Sequence, residues 1–133
     1  MKPIFFFGSL RDPELLAVVV GREVEDGDLR PARAPGHVTL RTRDEAYPIL
    51  VPREGADAEG LLFRPREARD IERLSFFEEA EYDLEPISVV AVEGPVEALH
   101  FRATGKILSS DAHWSFEHWC RHDRTVAIEA ARE

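Results

Sequence analysis

Two short segments carry residue types that can do chemistry. In Phe76-Phe77-Glu78-Glu79-Ala80-Glu81-Tyr82-Asp83, Glu78 follows two aromatic residues at the end of an amphipathic stretch. An apolar wall there would desolvate the carboxyl and raise its pKa toward the value a general acid or base needs near neutral pH. Glu79, Glu81 and Asp83 would push it the same way if they lie close. The same residues also read as a solvated acidic helix end. In Phe7-Gly8-Ser9-Leu10 an apolar strand runs into a helix start through two small residues. Backbone N–H groups and the positive helix end at such a turn suit an anion or an oxyanion. The segment equally reads as an ordinary strand-to-helix turn. Neither G-x-G-x-x-G nor G-x-x-x-x-G-K-S/T accompanies it, which excludes a dinucleotide or P-loop site.

A third group, His113, His118, Cys120 and His122, sits in a tryptophan-containing tail. His118 and His122 are spaced to share a helix face, as metal ligands sometimes are. Glu117 precedes His118, so the H-E-x-x-H pattern is absent, and Cys120 points away from the pair. Residues two apart on a helix do not face each other, which also removes a Cys-His nucleophile. No metal site is expected. The acidic segment lacks the alternating Asp/Asn pattern around a central Gly that a calcium loop needs.

The elements that must position these residues are readable in outline. Pro3 to Phe7 has the pattern of a strand buried on both faces. Asp12-Pro13 is a helix start and Gly21 a helix stop. Residues 22–36, rich in Asp, Glu, Gly and Pro, read as loop around a weak extended stretch. Val38–Thr42, Tyr47–Pro52 and Gly60–Phe63 read as three short strands, with Pro52 closing the second. Pro65 opens a helix with Ala68, Ile71, Leu74 and Phe77 on one stripe, ending near Glu78. Ile87–Val92 and Val96–Phe101 are antiparallel neighbours around Gly94-Pro95. From Asp111 on, Trp114, Trp119, Val126 and Ala130 form a helical stripe. About six strands and three helices in this order favour α+β with a mixed sheet over a doubly wound parallel sheet.

The 133 residues, with no linker or repeat, make a single domain over 1–133 whose last part, 111–133, is a C-terminal helical tail. Seventeen basic against 26 acidic side chains leave a net charge of −9, which argues against nucleic acid as a partner. The longest apolar run, Leu15–Val20, is far below the roughly 20 residues of a membrane span, and the N-terminus does not look like a signal peptide. Cys120 has no second cysteine to pair with, so the expected setting is a reducing cytoplasm. The chain has no Asn and no Gln. Any amide or carboxylate ligand must then be held by backbone, hydroxyl, Arg or carboxylate groups.

The order of apolar strand, Gly8-Ser9-Leu10, Tyr47-Pro48, and a helix ending in Leu74-x-x-Phe77-Glu78 with Tyr82 just beyond resembles the gamma-glutamylcyclotransferase-like family, which includes the avirulence-induced-gene proteins of plants. The resemblance covers roughly residues 3–105 and leaves the tail aside. It implies a small mixed β-barrel flanked by helices, with one pocket where the two motifs meet. The implied activity is release of 5-oxoproline from gamma-glutamyl amines or amino acids, without cofactor or metal. Carried over, Glu78 is the catalytic acid/base. Phe7, Gly8, Ser9 and Leu10 form the substrate-binding loop, and Tyr82 and Tyr47 line the pocket. Phe7 stands where the family usually has Tyr, Glu79 where it has Gly, and Leu84 where many members have Arg. These departures motivate an alternative, a catalytically silent small-ligand-binding or regulatory protein of the same fold. The expected partner is a small gamma-glutamyl substrate, with no nucleic acid and no membrane, for a monomer or homodimer. Trp114 and Trp119 either complete the core or dock a partner.

Overall fold

The computed structural model describes residues 1–42, 48–78, 82–103 and 109–132. Six strands form one sheet: β1 (Ile4–Phe6), β2 (Leu29–Thr42), β3 (Pro48–Phe63), β4 (Tyr82–Ala91), β5 (Gly94–Ala103) and β6 (Ser109–His113). The strand order is β3-β1-β5-β4-β2-β6, and β3 also pairs with β2. Five strands therefore close into a barrel and β6 extends it. All pairings are antiparallel except β1 with β5, where Ile4 lies opposite Leu99. Four helices flank the barrel: α1 (Pro13–Val20), α2 (Ala68–Glu78), α3 (Phe116–His122) and α4 (Arg124–Arg132). The expected α+β mixed barrel is the observed architecture.

β1 is buried on both faces because it lies between two apolar layers. Alternating side chains point to opposite sides. Ile4 and Phe6 join Leu10, Leu15, Leu16, Leu74, Phe101 and Trp119 in the layer between barrel and helices. Phe5 points into the barrel, among Ala32, Ala34, Ala58, Ala91 and Ala98. A five-stranded barrel is narrow, so five alanines share the interior with Phe5, Leu62, Ile87 and Val89. Gly60 belongs to the same constraint: a Cβ there would lie 2.2 Å from the Phe6 carbonyl oxygen and 2.7 Å from the Phe5 ring.

Several elements differ from the sequence reading. Residues 22–36 are not mostly loop, since β2 begins at Leu29. Its residues Ala32 and Ala34 face inward while Arg33 and Pro35 face out, an alternation carried by alanine rather than by larger apolar residues. The two strands expected at 47–52 and 60–63 are arms of one strand, β3. Pro52 does not close it: Pro35 pairs with Asp57 and His37 with Pro52, so residues 53–56 bulge opposite Gly36, whose φ of +75° only glycine adopts freely. The β4–β5 turn falls at Val92-Glu93, one step ahead of Gly94-Pro95.

The tail also differs. It begins as a strand, with His113 opposite Leu40. Ser115 then caps α3 by accepting from the His118 N–H at 3.2 Å, and the helix breaks at Asp123. Val126 is exposed and Ile128 buried, so the core-facing residues of α4 are Ala127, Ile128 and Ala131 rather than Val126 and Ala130. Trp119 is buried in the barrel-helix layer and Trp114 packs against it, which places both in the core. Among the described residues no helix is long and apolar enough to cross a membrane.

Candidate active site

The loop after β1 is shaped by contact. Phe7 packs on the barrel-interior layer. A Cβ on Gly8 would sit 2.8 Å from Cγ of Pro48, so glycine is what lets this loop press against the start of β3. The glycine-serine turn is thereby brought against Pro48, and Tyr47 lies outside the described residues. Ser9–Arg11 then forms a 3-10 turn, with Arg11 N–H donating to the Gly8 carbonyl at 3.1 Å and Asp12 N–H to the Ser9 carbonyl at 3.0 Å. Leu10 is buried in the barrel-helix layer.

This turn changes one expectation. The loop does not open directly into the N-terminus of α1. Asp12 intervenes as N-cap, and its Oδ1 accepts from the N–H groups of Glu14 at 2.9 Å and Leu15 at 3.4 Å. The helix end is satisfied by its own cap. An anion on this loop would therefore rely on backbone N–H groups of residues 8–10 and not on the α1 terminus.

Asp12 has a second role that the sequence did not suggest. Arg124 Nε donates to Asp12 Oδ2, and Arg124 Nη2 donates to Glu14 Oε2 at 2.6 Å. These bonds tie α4 to the loop and hold the guanidinium more firmly protonated than usual, chiefly through the hydrogen bond to Asp12.

Glu78 is the last residue of α2 and is half-buried. It lies four residues after Leu74 and seven after Ile71, the spacing of one helix face. Leu74 is fully buried and Ile71 packs on the same layer, so the core-facing stripe of α2 carries Glu78 as its final member. Burial pushes the Glu78 carboxyl up to about 7. The source of the apolar wall differs from the sequence reading. Phe77 packs on the barrel-helix layer, whereas Phe76 is 88% exposed and Ala68 faces solvent. Glu79 and Glu81 lie outside the described residues. Tyr82 and Leu84, at the start of β4, pack against the layer that also holds Leu10 and Phe77. The loop after β1, the flank of Glu78 and Tyr82 thus border one apolar layer.

A second buried feature fixes the approach of α2, and no sequence spacing announced it. Arg22 donates to both oxygens of Asp70, at 3.2 and 2.8 Å, and to Asp28 Oδ2 at 3.1 Å. Arg66 donates to both oxygens of Asp28, and its backbone N–H reaches Asp70 at 2.9 Å. Asp70 is 1% exposed. Burial alone would raise its pKa, but the bonds from Arg22 and from the Arg66 N–H outweigh it and hold the carboxyl below its ordinary value.

The tail histidines and cysteine take ordinary places. His118 and His122 do share a face, with ring centroids 4.3 Å apart. Among the described residues no three His, Cys, Asp or Glu side chains are grouped to hold a metal ion. Cys120 packs on the barrel-helix layer, and burial pushes its thiol up, away from the reactive thiolate.

A closed five-stranded barrel with one added strand and flanking helices makes this a small α+β barrel protein. The sequence profile of the family described as Gamma-glutamyl cyclotransferase, AIG2-like matches residues 4–121, and the chain belongs to that family. The match extends past the 3–105 range of the sequence resemblance, through β6 and into α3. An Arabidopsis thaliana protein solved in solution shares 24% identity at a TM-score of 0.69, over 97% of this chain and 87% of that one. An AIG2-like protein of Mus musculus shares 14% at 0.61, over 86% and 88%. A structure titled gamma-glutamyl cyclotransferase shares 11% at 0.56, over 78% and 67%. These likenesses show the fold. Among proteins of curated function none matches the chain in sequence.

Proposed function

We propose that this protein is a gamma-glutamylcyclotransferase that releases 5-oxoproline from a small gamma-glutamyl amine or gamma-glutamyl amino acid, with Glu78 moving the protons. The observation that carries the reading is the Glu78 carboxyl, held by burial at about 7 on the core-facing stripe of α2. A carboxyl at that value is divided between base and acid at neutral pH, and one group can then do both jobs in turn.

The substrate holds nucleophile and electrophile in one molecule. Closing a five-membered ring supplies proximity worth about 7–11 kcal/mol in well-oriented cases. Glu78 as carboxylate takes a proton from the α-ammonium, whose pKa is about 8. The freed amine nitrogen attacks the gamma carbonyl carbon and a C–N bond forms. Backbone donors on the loop of Gly8, Ser9 and Leu10 suit the developing oxyanion or the glutamyl carboxylate, in a chain without carboxamide side chains. The old amide C–N bond then breaks as Glu78 returns its proton to the leaving amine, and the attacking nitrogen gives up its second proton to solvent, which leaves the neutral lactam. Atoms and electrons balance with no oxidant, reductant or cofactor. Tyr82 serves as a pocket-lining residue, and the single Cys120 suits a cytoplasmic setting.

The test is mass-spectrometric detection of 5-oxoproline after incubating wild type and Glu78→Gln with a panel of gamma-glutamyl amines and amino acids. Product from wild type, lowered about 10²–10⁴-fold in the variant, is expected. Equal rates overturn the role of Glu78. A second reading, a silent binding protein of the same fold, is favoured by Phe7. Its ring packs on the apolar barrel interior and brings no hydroxyl to the loop. A ligand that raises the melting temperature and is recovered unchanged would support it.

A further inference from the structure

Beside the loop of Phe7–Leu10, between the β2–β3 arms and the junction of β6 with α3, the fold leaves an open cleft of about 260 Å³. Its walls include Phe7, Arg11, Glu59, Trp114, Phe116 and Glu117. The aromatic part is one packed unit: Phe116 stacks on Trp119 with centroids 5.9 Å apart and meets Trp114 at 6.2 Å. The Arg11 guanidinium carbon lies 4.6 Å over the Phe116 ring, which places the charged group against the aromatic wall.

Arg11 differs from the other structured arginines around it. Arg22, Arg66 and Arg124 each pair with a carboxylate. Among the described residues Arg11 has no carboxylate within ion-pairing distance, and its Nε, shielded from solvent, meets no acceptor. A guanidinium that is partly desolvated, seated over an aromatic ring and unpaired is shaped for a carboxylate, which matches its donors two at a time. Glu59 and Glu117 lie close enough to act on Arg11 electrostatically without pairing with it. Asp57, also in the cleft, is already engaged by Arg33 at 3.2 Å. A simple anion entering here would be repelled by Glu59 and Glu117. A ligand with an ammonium next to its carboxylate meets both signs favourably.

We propose that this cleft binds a zwitterionic α-amino acid with an apolar or aromatic side chain. The carboxylate sits on Arg11, the ammonium faces Glu59 and Glu117, and the side chain lies among Phe7, Trp114 and Phe116. The site goes beyond the cyclotransferase reading and stands without it, because occupancy is read by binding and not by turnover.

Isothermal titration of the full chain with L-phenylalanine tests the assignment, alongside phenylacetate, which lacks the ammonium, and phenethylamine, which lacks the carboxylate. The expected result is binding of phenylalanine with each half-ligand about tenfold weaker or worse. Arg11→Met, which keeps a linear apolar stem over Phe116, is expected to weaken phenylalanine about tenfold or more, and Arg11→Lys less. Absence of phenylalanine binding to the folded wild type overturns the proposal. So does equal affinity in Arg11→Met, or phenylacetate binding as tightly as phenylalanine. Should Arg11→Met fail to fold, the Glu59→Gln, Glu117→Gln double variant reads the ammonium half, and unchanged affinity for phenylalanine there overturns it equally.

Discussion

Asp12 and Arg124, 112 residues apart, meet at one carboxylate: the side chain that caps α1 through Oδ1 also receives Arg124 Nε at Oδ2. The cap orders the start of α1, and the ion pair uses that ordered carboxylate to seat α4 beside the loop after β1. Asp12 is 4% exposed, and both of its carboxylate oxygens are engaged by these partners.

Asp12→Ala removes both functions. Loss of an N-cap costs about 1 kcal/mol and a partly buried pair adds to it, so a loss of about 1–3 kcal/mol is expected in urea denaturation. Arg124→Ala leaves the cap in place and should cost less than Asp12→Ala, because the guanidinium is 36% exposed.

Glu78 should make the fold less stable as pH rises. Its folded pKa of about 7 exceeds the ordinary 4.5, so the native state holds a proton that the unfolded chain has released. No penalty exists below about 4.5; it grows between the two values and is complete above about 7. Denaturation of Glu78→Gln and wild type at pH 5 and pH 8 is expected to show the variant gaining relative stability at the higher pH, by at most about 3 kcal/mol. An equal difference at both pH values would contradict the burial of this carboxyl.

The same group sets the pH profile of the proposed reaction. The base form of Glu78 is the reactive one in free enzyme, so kcat/KM for 5-oxoproline release should rise with pH through about 7. In Glu78→Gln the residual rate should lose that rise.

Asp70 works in the opposite direction from Glu78. Its folded pKa lies below the ordinary carboxylate value, so its contribution is present above that value and is lost as pH falls through the folded one. Removing one member of a buried ion pair costs about 3–5 kcal/mol, and Asp70→Ala is expected near the lower end of that range because Arg22 keeps its bond to Asp28. Chemical denaturation at neutral pH measures it.

Gly60→Ala places a methyl 2.2 Å from the Phe6 carbonyl oxygen, and neither backbone nor the Phe5 ring has room to yield. A loss of about 3 kcal/mol or more is expected, whereas Gly27→Ala, with nothing within 4 Å, should lie within about 0.5 kcal/mol of wild type.

What the sequence revealed follows from where each signal is stored. α1 was legible because both of its ends are local chemistry, with Asp12 before Pro13 and Gly21 at φ +74°. β1 was legible because five consecutive apolar or proline residues leave little alternative. The first part of β2 was hidden because its inward residues are alanines, which carry almost no hydrophobic contrast beside the flanking Pro31 and Pro35. The continuity of β3 was hidden because the bulge at residues 53–56 mimics a loop. Glu78 was found from its neighbours in sequence, Phe76 and Phe77, of which only Phe77 packs on the barrel-helix layer while Phe76 is exposed. Arg11, Arg124 and the Arg22–Asp70–Asp28–Arg66 group escaped notice because their meaning lies in partners from other parts of the chain.

β1 is flanked by residues 61–63 of β3 on one side and by Leu99 of β5 on the other. During synthesis this strand leaves the ribosome well ahead of both neighbours, at roughly 5–20 residues per second, so several seconds separate its appearance from that of Leu99. Ile4, Phe5 and Phe6 spend that interval without the surfaces that later bury them completely. The barrel seam is thus a late event in the chain's own history, and the wait of three large apolar residues is a point at which a nascent-chain chaperone would have something to hold.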